Sequence, residues 1–140
     1  MKERRYRRSN SQRVATRFYL DSLIEQHGLS ALILATPDGK LVAGSESQRY
    51  GKSLLVSSIS EGYGRQLATV APHAARDAEL GEQGCWKGKD DEPVWASHVE
   101  IDGSPYLVAA VGYDGLAARD AALDALAGVA RIFRGTAQAA

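Results

Sequence analysis

Cysteine and long apolar runs are both scarce in this sequence. Its 140 residues include one cysteine, Cys85, which excludes an intrachain disulfide and is typical of a reducing compartment. No apolar run approaches the roughly 20 residues that a membrane-spanning helix needs, and no apolar signal-peptide core follows the basic N-terminus. We therefore expect a cytoplasmic protein with one domain and no membrane span.

A complete phosphate-binding loop is also missing. Gly51-Lys52-Ser53 resembles the end of the pattern G-x-x-x-x-G-K-[ST]. The first glycine of that pattern would fall at Glu46, whose carboxylate would repel a phosphate, and Gly44 lies too far away. Nucleotide binding is therefore not expected here, and Gly51 and Ser53 are interpreted as the start of a helix.

Metal and nucleophile signatures are absent as well. No histidine lies within five residues of another histidine or of Cys85, so the spacing of a metal site is missing. A pairing of Cys85 with a distant histidine has no supporting motif, and the acidic run 90–92 lacks the pattern of a calcium loop. We expect no catalytic residues, no metal and no cofactor, and hence a protein that is not an enzyme. The three histidines are His27, His73 and His98.

Positive charge is concentrated at the N-terminus. The whole chain has a formal net charge of zero, yet residues 1–20 hold seven Lys and Arg residues against one Glu, so the other 120 residues carry a net charge of −6. We predict a flexible basic arm at 1–10. Such an arm can bind nucleic acid, anionic lipid or an acidic protein face, or can simply be a solvated tail. Its candidate partner-binding residues are Arg4, Arg5, Arg7 and Arg8.

The first half of the chain predicts a helix followed by a hairpin. Apolar spacing from near Ser11 indicates a helix that ends at Gly28. Two short apolar runs, 31–35 and 40–44, flank Pro37-Asp38-Gly39, which is typical of a tight turn. We therefore predict an antiparallel hairpin, with a polar loop after it at 44–50.

A second helix is predicted from about Lys52 to Ala71. Val56, Ile59, Tyr63, Leu67 and Val70 have helical spacing and predict its buried face. Ser58, Gly62, Gln66 and Thr69 lie on a different face and are mostly small. Gly62 and Gly64 each cost about 1 kcal/mol relative to alanine within a helix, so either another helix approaches closely there or the helix tolerates a kink.

The second half predicts two strands and a last helix. The strands are 94–101 and 106–112, joined at Asp102-Gly103, and an alanine-rich helix follows. The segment 72–92 is hard to assign and could hold a third strand before Val94. Alternation places Trp95 on the core side of its strand, whereas Trp86, in a loop, is the better candidate for a partner contact. The fold class is α+β.

The sequence as a whole resembles the Roadblock/LC7 family. The phrase LSALILATPDGKLVA at 29–43, with its Asp-Gly hairpin, carries the resemblance, which covers about residues 12–134. It implies a central antiparallel five-stranded sheet with helices packed on it, in the order α-β-β-α-β-β-β-α. The expected organisation is a basic arm at 1–10, a Roadblock/LC7-like domain at 11–134 and a disordered tail at 135–140.

The resemblance also implies how the protein works. Family members form dimers in which central helices pack together and edge strands join, and bacterial members often regulate a small Ras-like GTPase. We therefore expect a homodimer without an active site that binds such a GTPase or another Roadblock protein, in cell polarity or motility. The predicted dimer interface is Leu55, Ser58, Gly62, Gln66 and Thr69.

Two alternatives stay open. A small-molecule sensor of the GAF or PAS kind also surrounds an antiparallel sheet with helices, and would need an enclosed pocket of a few hundred Å³. A nucleic-acid or membrane tether would act through the basic arm, and its affinity for nucleic acid would fall steeply with salt. Nucleic acid is the less expected partner.

Overall fold

The fold is known from a computed structural model, which describes residues 2–50, 52–82 and 84–138, apart from the side chains of 2–11, 13, 49–50 and 135–138. Three helices and five strands form the described chain, with a short 3₁₀ turn at Lys89–Asp91. The helices are α1 Lys2–His27, α2 Glu61–Glu79 and α3 Gly115–Gln138. The strands are β1 Ala31–Ala35, β2 Leu41–Tyr50, β3 Ser53–Ser58, β4 Val94–Ile101 and β5 Ser104–Val111.

The strands form one antiparallel sheet in the order β3-β2-β1-β5-β4. Helix α2 covers one face, and α1 and α3 cover the other. Strand β1 is central, and all five of its residues are buried. This explains why ALILA has no polar alternation, since both of its faces lie in a core. The predicted α+β class with a five-stranded antiparallel sheet is confirmed.

The turns that connect the elements follow local sequence signals. Helix α1 ends at His27, and Gly28 has a φ of +68°, which suits glycine at a helix end. In the first hairpin the Gly39 N–H donates to the Thr36 carbonyl over 3.0 Å, so Pro37 occupies the first corner, as predicted. Asp102 and Gly103 both have positive φ, as a two-residue hairpin turn requires.

The predicted order of the elements is wrong in one place. The additional strand that was predicted between α2 and Val94 lies instead before α2, where it is β3. The order is therefore α-β-β-β-α-β-β-α. The predicted loop 44–50 is the second half of β2, and Ser53 begins β3 instead of a helix, while Gly51 is outside the described residues. The predicted helix 52–71 is displaced to 61–79.

Hairpin pairing explains this correction. Residues 45–50 of β2 pair with 53–58 of β3, and this pairing overrides helical spacing within the segment. Val56 consequently packs toward α1 and α3. Tyr63 and Leu67 do lie on the buried face of α2, where the spacing placed them.

The predicted division into arm, domain and tail stays a prediction. The backbone of α1 is helical from Lys2 and that of α3 is helical to Gln138, so both helices continue past the boundaries proposed at 10 and 134. Within the described part of the chain, no helix is both long enough and apolar enough to cross a membrane.

Candidate protein-binding surface

Strand β3 forms an open edge of the sheet and exposes two leucines. Leu54 is 38% exposed and Leu55 is 58% exposed. Leu55 lies opposite Gln48, and Leu54 lies opposite Arg49, so the two leucines point to opposite faces of the sheet. An exposed apolar edge strand is a surface on which another chain can pair.

The register of β3 also fixes which backbone groups are available. The N–H of Ile59 donates to the Gly44 carbonyl over 3.0 Å. Because bonded and non-bonded pairs alternate in an antiparallel ladder, residues 53, 55 and 57 bond to β2. The N–H and C=O groups of Leu54, Val56 and Ser58 therefore point away from the sheet.

Helix α2, which follows β3 in the chain, also has an exposed face. Gly62, Gln66 and Thr69 are exposed and spaced by four and three residues, so they lie on one side of the helix. A Cβ added at Gly62 would meet nothing within 4 Å. We call the β3 edge and this helix face together the β3–α2 surface: Leu54, Leu55, Ser58, Gly62, Gln66 and Thr69. The set includes the five residues predicted for a dimer interface, a role that stays a prediction, and Leu55 and Ser58 lie on a strand and not on the helix.

The two glycines of α2 have different explanations. A Cβ at Gly64 would lie 2.7 Å from Leu41 Cδ2 and 3.0 Å from Ile59 Cγ2. At Gly64 the helix therefore packs closely against the sheet, and not against another helix. Gly62 faces outward and leaves its side of the helix open to another molecule.

A buried carboxylate ties α2 to the sheet beside β3. Glu46 is 5% exposed, and its Oε2 accepts a hydrogen bond from the Ser60 N–H over 2.6 Å. Its Oε1 lies 3.4 Å from Lys89 Nζ, which lies 4.4 Å from the centre of the Tyr63 ring. The sequence pattern indicated only that Glu46 is incompatible with a phosphate-binding loop. No local motif predicts its contact with Ser60, which lies 14 positions away.

Tyr63 is held in this network by the backbone. The Lys89 N–H donates to Tyr63 Oη over 3.1 Å. Burial raises the pKa of the Tyr63 hydroxyl above its ordinary 10.0, and the negative charges of Glu92 and Glu46 add to the rise, although the bond from Lys89 opposes it. The network thus favours a neutral hydroxyl.

A polar groove of about 500 Å³ adjoins the network at the end of the sheet. The cores between the sheet and the helices are filled by buried side chains. The sensor alternative, which needs an enclosed pocket, stays a prediction. The groove is lined mainly by 28–30, 46–48, Leu54, Tyr63 and Lys89.

Trp86 packs beside the β3–α2 surface. Its ring stacks on His73 at 5.4 Å between centroids, and its Nε1 donates to Asp77 Oδ2 over 2.8 Å. His73 follows Thr69 by four residues, so Trp86 lies in line with the exposed face of α2. Trp86 is 37% exposed, and its role in partner binding stays a prediction.

The remaining candidate residues lie apart from this surface. Trp95 packs against the α1–α3 core and donates from Nε1 to the Gly112 carbonyl over 2.9 Å, as its strand alternation predicted. His27 contacts Asp124, and His98 contacts Glu79. Among the described residues, no three His, Cys, Asp or Glu side chains form a group that could hold a metal. The side chains of Arg4, Arg5, Arg7 and Arg8 lie outside the described residues.

Comparisons with known proteins identify the fold. No family model matches the sequence, and no curated protein matches it. The structure is similar to that of Myxococcus xanthus MglB, with a TM-score of 0.52 over 88% of this chain and 90% of that chain, at 14% identity. The chain therefore has a Roadblock/LC7-like fold.

Proposed function

We propose that this protein is a dimeric adaptor, without catalytic activity of its own, that binds and regulates a small Ras-like GTPase in the cytoplasm. The Roadblock-like fold supports this proposal, because the similar MglB is a Roadblock/LC7-type GTPase regulator. A role in cell polarity or motility is part of the same proposal. The observation that carries it is the β3–α2 surface.

The β3–α2 surface suits a two-fold dimer. A symmetric dimer uses the same patch on both subunits, and an antiparallel pair of β3 strands satisfies this condition. Outward N–H and C=O groups at Leu54, Val56 and Ser58 would then pair with the same groups of the second copy. The open face at Gly62 and Gln66 leaves room for the α2 helix of that copy.

Dimer formation would also remove an unfavourable exposure. Leu54 and Leu55 together present apolar area on an unpaired strand, and such strands aggregate unless they are covered. Pairing of β3 covers both leucines and joins two five-stranded sheets into one. A second Roadblock protein could occupy the same place in a heterodimer.

Binding to purified small Ras-like GTPases of the source organism tests the function. Each GTPase is loaded with GDP or with a non-hydrolysable GTP analogue, and binding is measured by calorimetry. We expect one GTPase to bind in a nucleotide-dependent manner, with two copies of this chain in the complex. Equal affinity for both nucleotide states, or no binding to any of these GTPases, would contradict the regulatory role.

A further inference from the structure

The opposite edge of the sheet is also open. Strand β4 is the terminal strand on that side. The two-residue turn sets Ile101 opposite Ser104, and bonded pairs therefore fall at residues 95, 97, 99 and 101. The N–H and C=O groups of Ala96, His98 and Glu100 point away from β5.

A groove of about 610 Å³ follows this edge, and we call it the β4 groove. The C-terminal half of α2 forms one wall and the first half of α3 forms the other. Both walls present alanines, whose small side chains leave the space beside the strand unfilled. Glu79 lies on the α2 wall, and Arg119, Ala122 and Leu123 lie on the α3 wall.

The chain itself pairs with the beginning of this edge. The Val94 N–H donates to the Trp86 carbonyl over 2.8 Å, and Lys87 forms an antiparallel bridge with Pro93. A short stretch of backbone thus already lies beside the edge as an added strand would. The groove begins where this pairing stops, from Trp95 onward.

We propose that the β4 groove binds an extended peptide of a partner protein, which adds to β4 as a further antiparallel or parallel strand. Strand addition gives affinity through main-chain hydrogen bonds and specificity through alternate side chains. Side chains of the peptide that point toward α3 would contact Trp95, Ala122 and Leu123. Apolar side chains are therefore favoured at these positions of the peptide. Leu123 is 56% exposed at this wall and would be covered.

Charge on the two walls specifies the peptide further. Arg119 places a positive charge on the α3 wall, whereas Glu79 places a negative charge on the α2 wall, 3.5 Å from His98 Nε2. A complementary peptide carries an acidic side chain toward α3 and a basic one toward α2. Such an arrangement fixes the register and direction of the added strand.

The length of the β4 groove along its strand suits an added strand. A strand of four residues is about 13 Å long, which matches the stretch from Trp95 to Val99. Because the groove lies on the edge opposite β3, this proposal does not rest on the proposed function.

Selection from a phage-displayed library of random short peptides tests the proposal, with the full chain as bait. Enriched peptides are synthesised, and their affinities are measured for the parent protein and for matched variants. His98→Pro removes an outward N–H and no bond to β5, a change that edge strands tolerate, while His98→Ala keeps that N–H. We expect peptide affinity to fall at least about tenfold with His98→Pro and to change little with His98→Ala.

A second pair of variants covers the case in which His98→Pro does not fold. Ala122→Arg fills the α3 wall, and Ala127→Arg places the same side chain on an exposed part of α3 outside the groove. We expect only Ala122→Arg to abolish peptide binding, and Leu55→Arg to leave it intact. Failure to enrich any peptide, or equal binding by Ala122→Arg and Ala127→Arg, would overturn the proposal. Self-association that Ala122→Arg alone abolishes would also overturn it, because a second copy would then occupy the groove.

Discussion

The Ser60 N–H donates a hydrogen bond to Glu46 Oε2 over 2.6 Å, and this contact joins the sheet to the start of α2. Ser60 makes no side-chain cap of its own, so the carboxylate from β2 takes that place at the positive end of the helix dipole. Because β2 also pairs with β3, the contact fixes the position of α2 relative to the edge strand. The contact thus links α2 to the strand that pairs with β3, in addition to the core packing of α2.

Replacing Glu46 by alanine is expected to lower the free energy of unfolding by about 1–3 kcal/mol. The change leaves the Ser60 N–H without its acceptor and Lys89 without its ion-pair partner. Chemical denaturation with circular dichroism measures the effect. Glu61→Ala is the control, since Glu61 is exposed and pairs with the exposed Arg65, a pair worth about 0.3–0.5 kcal/mol. A loss from Glu46→Ala no larger than that of the control would contradict the anchoring role.

Gly128→Ala is expected to destabilise the packing of α1 on α3, because overpacking costs about 1–3 kcal/mol and the better helix propensity of alanine offsets only about 1 kcal/mol of that cost. A Cβ at Gly128 would collide with the ring of Tyr19, whose hydroxyl donates to the Asp124 carbonyl over 2.8 Å. The double variant Tyr19→Ala with Gly128→Ala isolates the collision. We expect the glycine substitution to cost much less stability in the Tyr19→Ala background, and equal costs in both backgrounds would exclude the collision as the cause.

Alkaline pH is expected to destabilise the protein partly through Tyr63. Burial raises the pKa of Tyr63 above 10.0 in the folded state, so the folded protein holds this proton more tightly than the unfolded chain. The stability from this group is present below pH 10 and is lost as pH rises through the folded pKa. Tyr63→Phe removes this contribution, and its unfolding free energy should fall less steeply above pH 10 than that of the parent protein. Identical slopes for the two proteins would contradict the shift.

Local signals sufficed to predict much of the fold. Gly28, Pro37-Asp38-Gly39 and Asp102-Gly103 each mark a chain reversal through their own backbone preferences. Both faces of β1 are buried, in agreement with its unbroken apolar run. These features depend on neighbours in sequence, which is why the sequence alone indicated them.

The structure of the segment 44–58 depended instead on the pairing of β2 with β3, which the helical spacing of its apolar residues did not indicate. Val56 and Ile59 have helical spacing, but they do not lie in a helix. The β2–β3 pairing and the Glu46–Ser60 contact set the start of α2 at Glu61. Of the residues predicted for a dimer interface, Gly62, Gln66 and Thr69 lie on the exposed face of α2, whereas Leu55 and Ser58 lie on β3. Their role in a dimer stays a prediction.

The oligomeric state at tens of micromolar, measured by sedimentation equilibrium, tests the central claim most directly. The account predicts a species of twice 15.0 kDa for the parent protein and a monomer for Leu55→Arg, which places a charge on the β3 edge. Leu116→Arg, at a leucine that is 71% exposed on α3, should remain a dimer. A parent protein that is strictly monomeric, or a Leu55→Arg variant that dimerises as strongly as Leu116→Arg, would contradict the assignment of the β3–α2 surface as the dimer interface.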